Sequence, residues 1–183
     1  MTAILPGKVF LTRGMGRHAE KLVSFEIALR DAGISSFNLV RVSSIFPPRC
    51  RIVSREAGLK LLKPGQIVFL VMSENATDEP HRLISSSIGM AVPEDPDLYG
   101  YLAEHEAFGV TEKEAGRHTE DLAAEMLATK LGMTLSGRST PRGGRPQRRL
   151  SPSLSLRTKS ISQTAKGSAG LWTTSVAAAV LIA

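Results

Sequence analysis

Asn38-Leu39-Val40-Arg41-Val42-Ser43-Ser44-Ile45-Phe46-Pro47-Pro48 is the stretch from which the rest of the chain is best read. Leu39, Val40 and Val42 form a short β-favouring run, and Pro47 and Pro48 have no N–H to give a ladder, so the two serines fall where a strand ends. A strand end held between a bulky run and a rigid Pro-Pro can constrain one peptide group. A hydroxyl beside a constrained carbonyl is a potential internal nucleophile. Taken alone, the same residues also describe a strand followed by an ordinary turn. The surrounding sequence has to choose between these readings.

Upstream, Val9-Phe10-Leu11-Thr12 predicts a first strand, and Gly14 and Gly16 predict a tight turn over 13–17. Gly14-Met15-Gly16 lacks the third glycine of a dinucleotide fingerprint. Leu22, Phe25, Ala28 and Leu29 at helical spacing predict a helix over 18–32 that Gly33 stops, with Phe25 and Leu29 towards the core and Glu26 near the edge of that face. Downstream, Ile52-Val53, 67–72 and 83–92 read as strands, with a Lys63-Pro64-Gly65 turn between the first two. The stretch 99–106 alternates, with Tyr101, Ala103 and His105 on one face and Leu102, Glu104 and Glu106 on the other. Thr111, with Glu114 three residues on, caps a long helix that runs to about Lys130 and ends at Gly132. The closing run 171–183 is a buried strand or a short helix. Strands and helices in this order, without regular βαβ alternation, predict a single α+β layered domain over 1–183.

A chain of 183 residues with 42% hydrophobic residues has enough material for one real core. The single cysteine, Cys50, excludes an intrachain disulfide framework and a multi-cysteine zinc site, and suits a reducing, cytoplasmic compartment. Pro6, Gly7, Lys8 and Arg13 interrupt the first apolar residues, which excludes a secretion-signal pattern, and the last apolar run is too short to span a bilayer, so no membrane partner is expected. The net charge of +6 is uneven: residues 1–125 hold 14 Lys+Arg against 17 Asp+Glu, or −3, and residues 126–183 hold 9 against none, or +9. The basic character therefore belongs to the tail, and the case for a nucleic-acid partner rests on that segment alone.

A protein that removes carbon dioxide from an amino acid needs a carbonyl that captures the amine as a Schiff base and accepts electrons. It obtains one from pyridoxal phosphate on a lysine or makes one from its own chain. No lysine here lies in an obvious cofactor site. The self-made route needs a serine that attacks the preceding carbonyl and then eliminates to leave a pyruvoyl group. The stretch 38–48, with Leu11-Thr12-Arg13-Gly14, Ser24-Phe25-Glu26, Ala28 to Ile34, Glu79-Pro80-His81-Arg82 and Gly170-Leu171-Trp172-Thr173-Thr174, resembles the pyruvoyl-dependent arginine decarboxylases over about 5–133 and 157–183. The resemblance implies αββα layers, cleavage between Ser43 and Ser44, and a trimer of cleaved units. It gives a short chain 1–43 and a long chain 44–183 that begins with the pyruvoyl group formed from Ser44. It implies L-arginine as substrate, agmatine and carbon dioxide as products, and no metal. Asn38 takes the place of the family's active-site asparagine and Glu104 that of its proton donor. Glu26 stands where the family has a substrate-binding aspartate, one methylene longer.

The residues give each role a physical basis. Asn38, six residues before Ser44, would share its face on a strand and could orient the processing carbonyl or the substrate carboxylate. Glu104 beside Leu102 is expected to be desolvated enough to hold a proton near neutral pH, with Glu106 its rival on the same face. A guanidinium is best held by a carboxylate, the part expected of Glu26. The departure from the family is 134–156, which is basic and rich in Ser, Pro and Gly, includes the Arg142–Arg149 run, and is expected to be an irregular insert. Compensating changes of reading frame would account for it. Two other classes stay open at this point: an uncleaved family member with a structural role, and a nucleic-acid-associated protein using the Arg142–Arg149 run, which lacks interleaved aromatics.

Overall fold

The computed structural model describes residues 4–132, 147–151 and 154–183. Its elements run β1 (Lys8–His18), α1 (Lys21–Asp31), β2 (Asn38–Arg41), β3 (Ile45–Phe46), β4 (Arg51–Ile52), α2 (Arg55–Leu59), β5 (Ile67–Thr77), β6 (Leu83–Pro93), β7 (Gly100–Phe108), α3 (Glu112–Lys130), β8 (Gln147–Ser151), β9 (Leu154–Lys166) and β10 (Trp172–Ile182). They form two five-stranded sheets, ordered β2-β5-β10-β1-β4 and β3-β7-β6-β9-β8. The first is mixed, with β2 parallel to β5 and β4 parallel to β1, and the second is antiparallel throughout. Among the described residues, one mixed and one antiparallel sheet with three helices and no regular βαβ alternation are α+β, as expected.

Side-chain alternation along the strands divides the core into three clusters. Phe10, Leu70, Met72, Val176, Ala178 and Val180 face α1, where Ala28 and Ala32 meet them. Val9, Leu11, Val71, Ala177 and Leu181 of the first sheet meet Phe46, Ile88, Met90 and Leu102 of the second. Ala91, Ala103 and Leu156 lie under Ala123, Ala124 and Leu127 of α3. The β7 faces are those that a period of two assigns: Leu102 towards the first sheet, Ala103 towards α3. Helix α3 carries the expected capping box, with the Glu114 N–H donating to Thr111 Oγ1 and the Thr111 N–H to Glu114 Oε2. Gly132, at φ 64°, follows its end in the left-handed region that favours glycine.

Two expectations change and one open choice closes. The tight turn over 13–17 does not exist, because β1 runs straight through Gly14 and Gly16 to His18. A Cβ on Gly14 would stand 2.2 Å from the Ala28 carbonyl oxygen, and one on Gly16 would stand 2.1 Å from that of Ser24. These glycines let α1 lie against the strand. The open choice for the C-terminal run resolves as a strand: β10 pairs with β1 from Ile182↔Lys8 to Trp172↔His18 and with β5 on its other side. Its alanines have little strand preference, yet a central strand covered on both faces is where small side chains let layers close. Of the expected irregular segment, 134–146 and 152–153 lie outside the described residues. Its C-terminal part is strand instead, since β8 pairs with β9 and Leu156 is fully buried. Among the described residues, no helix is long and apolar enough to cross a membrane.

Candidate functional site

The serine pair lies where the chain passes from one sheet to the other. β2 is an edge strand of the first sheet, β3 is an edge strand of the second, and residues 42–44 join them. Val42 packs with the apolar side chains between the sheets, and Phe46 is buried there. The crossing is therefore anchored at both ends, while Ser43 is exposed and Ser44 half-buried. The strand end expected at the serines is present.

Three hydrogen bonds hold the serine pair within this crossing. The Ile45 N–H donates to the Ser43 carbonyl oxygen at 2.9 Å, and the Leu102 N–H to the Ser44 carbonyl oxygen at 2.8 Å. The Ser44 hydroxyl donates to Glu104 Oε2 at 3.4 Å, a long contact across 60 residues. Its rival is engaged elsewhere: Glu106 Oε1 accepts from Ser73 Oγ at 2.9 Å, and that hydroxyl also reaches the His105 carbonyl oxygen. The two backbone donors escaped sequence reasoning, because an amide carries no residue-type signal. The pairing of β3 with β7 reveals the Leu102 donor, and the local turn at Ser44 reveals that of Ile45.

The remaining candidates are placed less closely. Asn38 and Ser44 do not share a strand, because β2 ends at Arg41 and the chain then changes sheets. The Asn38 side-chain amide donates to the Gly65 carbonyl oxygen at 2.7 Å, and among the described residues no hydrogen bond joins it to either serine. Glu26 is on α1, ion-paired with Arg30 at 2.6 Å. Helix α1 covers the face of the first sheet that looks away from the second, so Glu26 and Ser44 lie on opposite sides of that sheet. Glu104 is exposed, and the expected desolvation is absent within one chain. The reason is structural: β3 pairs with β7 only at Gly100 and Tyr101, so the β7 edge is open beside residue 104.

Beyond Phe46 and Pro47 a cleft of about 770 Å³ is bordered by Cys50, Met90, Arg157 and Lys159, with Arg51 also on its wall. Arg49 at the same wall is paired with Asp97 at 2.5 Å, which raises its pKa further above the ordinary range. Burial pushes the Cys50 thiol up to about 11. The wall carries Arg51, Arg157 and Lys159 together with Glu94 and Asp95, so its charge is mixed. Among the described residues, no group of three or more His, Cys, Asp or Glu could hold a metal ion.

The comparisons with known proteins agree on one family. The family model described as pyruvoyl-dependent arginine decarboxylase matches residues 8–183. The chain is 50% identical over 183 residues to the pyruvoyl-dependent arginine decarboxylase of Nitrosopumilus maritimus, covering all of both chains. It is 50% identical over 180 residues to the probable pyruvoyl-dependent arginine decarboxylase of Chlorobium limicola, covering 98% of this chain and 99% of the relative. It is also 50% identical over 180 residues to pyruvoyl-dependent arginine decarboxylase 2 of Methanosarcina acetivorans, covering 98% of each.

Proposed function

This chain belongs to the pyruvoyl-dependent arginine decarboxylase family, and on that premise we propose that it cleaves itself between Ser43 and Ser44 and then converts L-arginine to agmatine and carbon dioxide. The observation that carries this is the Ser44 hydroxyl held at the crossing between the sheets with the Glu104 carboxylate as its hydrogen-bond acceptor. The residues present fit a pyruvoyl group made from Ser44. The serine is half-buried, the carbonyls on both sides of it are held by backbone amides, and a carboxylate faces its side chain. When formed, that group supplies a carbonyl that binds the substrate amine covalently and accepts electrons as carbon dioxide leaves.

The chain's own residues do the rest. Glu104 takes the Ser44 hydroxyl proton during processing, and in the mature site it returns a proton to the substrate carbon. The Leu102 N–H holds the carbonyl of residue 44 and so fixes the reacting end of the long chain 44–183 relative to Glu104. The guanidinium needs a carboxylate partner, and Glu26 is the candidate. Since Glu26 and Ser44 lie on opposite sides of the first sheet, this reading takes the acid from a neighbouring subunit. The proposed trimer of cleaved units supplies that neighbour, and its packing would also cover the open β7 edge and desolvate Glu104. Asn38, exposed on the β2 edge, is then available to the substrate carboxylate if it exchanges its bond to Gly65. The three core clusters support an α-β-β-α layering around this centre.

Purified protein analysed by intact mass and gel electrophoresis tests the first half: two chains, 1–43 and 44–183, are expected, and a single persistent chain overturns the proposal. Agmatine formation from L-arginine tests the second half. Ser44→Ala is expected to abolish both.

A further inference from the structure

The carbonyl that self-cleavage must attack already has a donor on it in the uncleaved chain. The Ile45 N–H lies 2.9 Å from the Ser43 carbonyl oxygen, a bond from residue i+2 to residue i that closes a γ-turn on Ser44. The ladder leaves this amide free for the purpose. Ile45 stands opposite Tyr101, but the bond between the strands at this point runs from the Leu102 N–H to the Ser44 carbonyl. Of the residues that follow, Phe46 is paired with Gly100 in the ladder, and Pro47 and Pro48 have no N–H. Asn38, nominated by the sequence to orient this carbonyl, has its amide on Gly65 instead.

We propose that the Ile45 backbone amide is the oxyanion donor of self-cleavage, an inference that rests on the reading of Ser44 as the processing residue. In the first step Ser44 Oγ bonds to the Ser43 carbonyl carbon and the Ser43–Ser44 C–N bond breaks. The hydroxyl proton ends on the Ser44 nitrogen by way of Glu104. The peptide becomes an ester and a free amine, with no atom or electron gained or lost. Between the two, the Ser43 carbonyl oxygen carries negative charge. A donor fixed at hydrogen-bond distance before the reaction stabilises that charge without reorganising during it. The Leu102 N–H has a separate part: it holds the carbonyl on the other side of Ser44, so that the γ-turn cannot open by rotation of that peptide.

The experiment is a time course of self-cleavage by intact mass for the full-length chain, Ile45→Val and Ile45→Pro. Ile45→Val keeps the N–H and is expected to cleave at close to the parent rate. Ile45→Pro removes it and is expected to cleave at least about 100-fold more slowly, the usual effect of losing one oxyanion donor. Circular dichroism and hydrodynamic size should match the parent. Hydroxylamine, which splits esters, should release no fragments from Ile45→Pro, placing the block before ester formation. Because proline also restricts Ser44, a second variant carries the α-hydroxy acid counterpart of isoleucine at position 45, which exchanges the N–H for an oxygen. It too should cleave slowly, and it decides the question if Ile45→Pro does not fold. A parent that cleaves while the folded variants lacking the N–H cleave at its rate overturns this inference alone. A parent that never cleaves overturns the reading on which it rests.

Discussion

The space between the two sheets has two halves built on the same strands and filled by opposite means. In one, Val9, Leu11, Val71, Ile88, Met90, Leu102 and Leu181 pack as an apolar cluster. In the other, Ser86 Oγ meets the Ser175 hydroxyl at 2.8 Å, Ser73 reaches Glu106, and the Asn75 amide donates to the Ala107 carbonyl oxygen at 3.1 Å. Strand β7 runs through both, with Leu102 in the first half, Glu106 in the second and Glu104 where they meet. Apolar contacts stabilise without direction, while buried hydroxyls need partners in fixed places. The Glu104 carboxylate stands at the boundary, where one side anchors the backbone and the other tolerates polar groups.

The largest expected effect is in the apolar half. In a Ser44→Ala background, which keeps the chain in one piece under the proposed function, Leu102→Ala should lower stability to urea by about 2–5 kcal/mol, the usual range for a fully buried leucine. The Leu102 N–H survives this substitution, so a folded Leu102→Ala chain with Ser44 intact should still cleave itself. A loss below about 1 kcal/mol would remove the distinction between the halves.

Cys50 borders the same half and measures how dry it is. Burial holds its pKa near 11, against about 8.5 for a free thiol. At pH 8 iodoacetamide should therefore alkylate it roughly two orders of magnitude more slowly than in urea-unfolded chain, where the thiolate is plentiful. Equal rates, read by mass spectrometry, would mean that water reaches this edge.

The hydroxyl half should respond less and less additively. Ser86→Ala should cost about 1–3 kcal/mol, because it leaves the Ser175 hydroxyl short of a partner. The double change Ser86→Ala with Ser175→Ala should cost less than the two single changes together, a coupling of about 0.5 kcal/mol or more. Strict additivity would mean that the 2.8 Å contact carries no energy of its own.

What could be read from the sequence follows the range of each signal. Period-two alternation placed Leu102 and Ala103 on their correct faces, and the capping chemistry of Thr111 and Glu114 started α3, because both signals are local. Gly14 and Gly16 misled for the opposite reason: the space they leave is for α1, a contact that turn chemistry cannot express. The shared face argued for Asn38 and Ser44 failed because periodicity cannot announce a change of sheet. The amides of Ile45 and Leu102 were invisible because their role belongs to the backbone. For Glu26, local pattern could not show that α1 lies on the side of the first sheet away from Ser44.

The smallest expected effect lies on the outer face of β7, under α3. His105 and His118 meet edge to face with ring centroids 4.5 Å apart. The His105 pKa is lowered from its ordinary value, first by desolvation and then by His118, with Glu106 acting in the opposite direction. In the unfolded chain His105 titrates near 6.5, so as pH falls through that value the unfolded state takes up a proton that the folded state still refuses. The contribution of His105 to stability is therefore complete above about pH 6.5, declines as pH drops from there towards its lower folded value, and changes no further below it. His118→Gln removes the like-charge effect and leaves desolvation, so the His105 titration followed by NMR should move upward without reaching the ordinary value, and the acid-sensitive window should narrow. A His105 that titrates at its ordinary value in the parent chain would mean that α3 does not cover β7 closely, and the outer face would then resemble neither half of the space between the sheets.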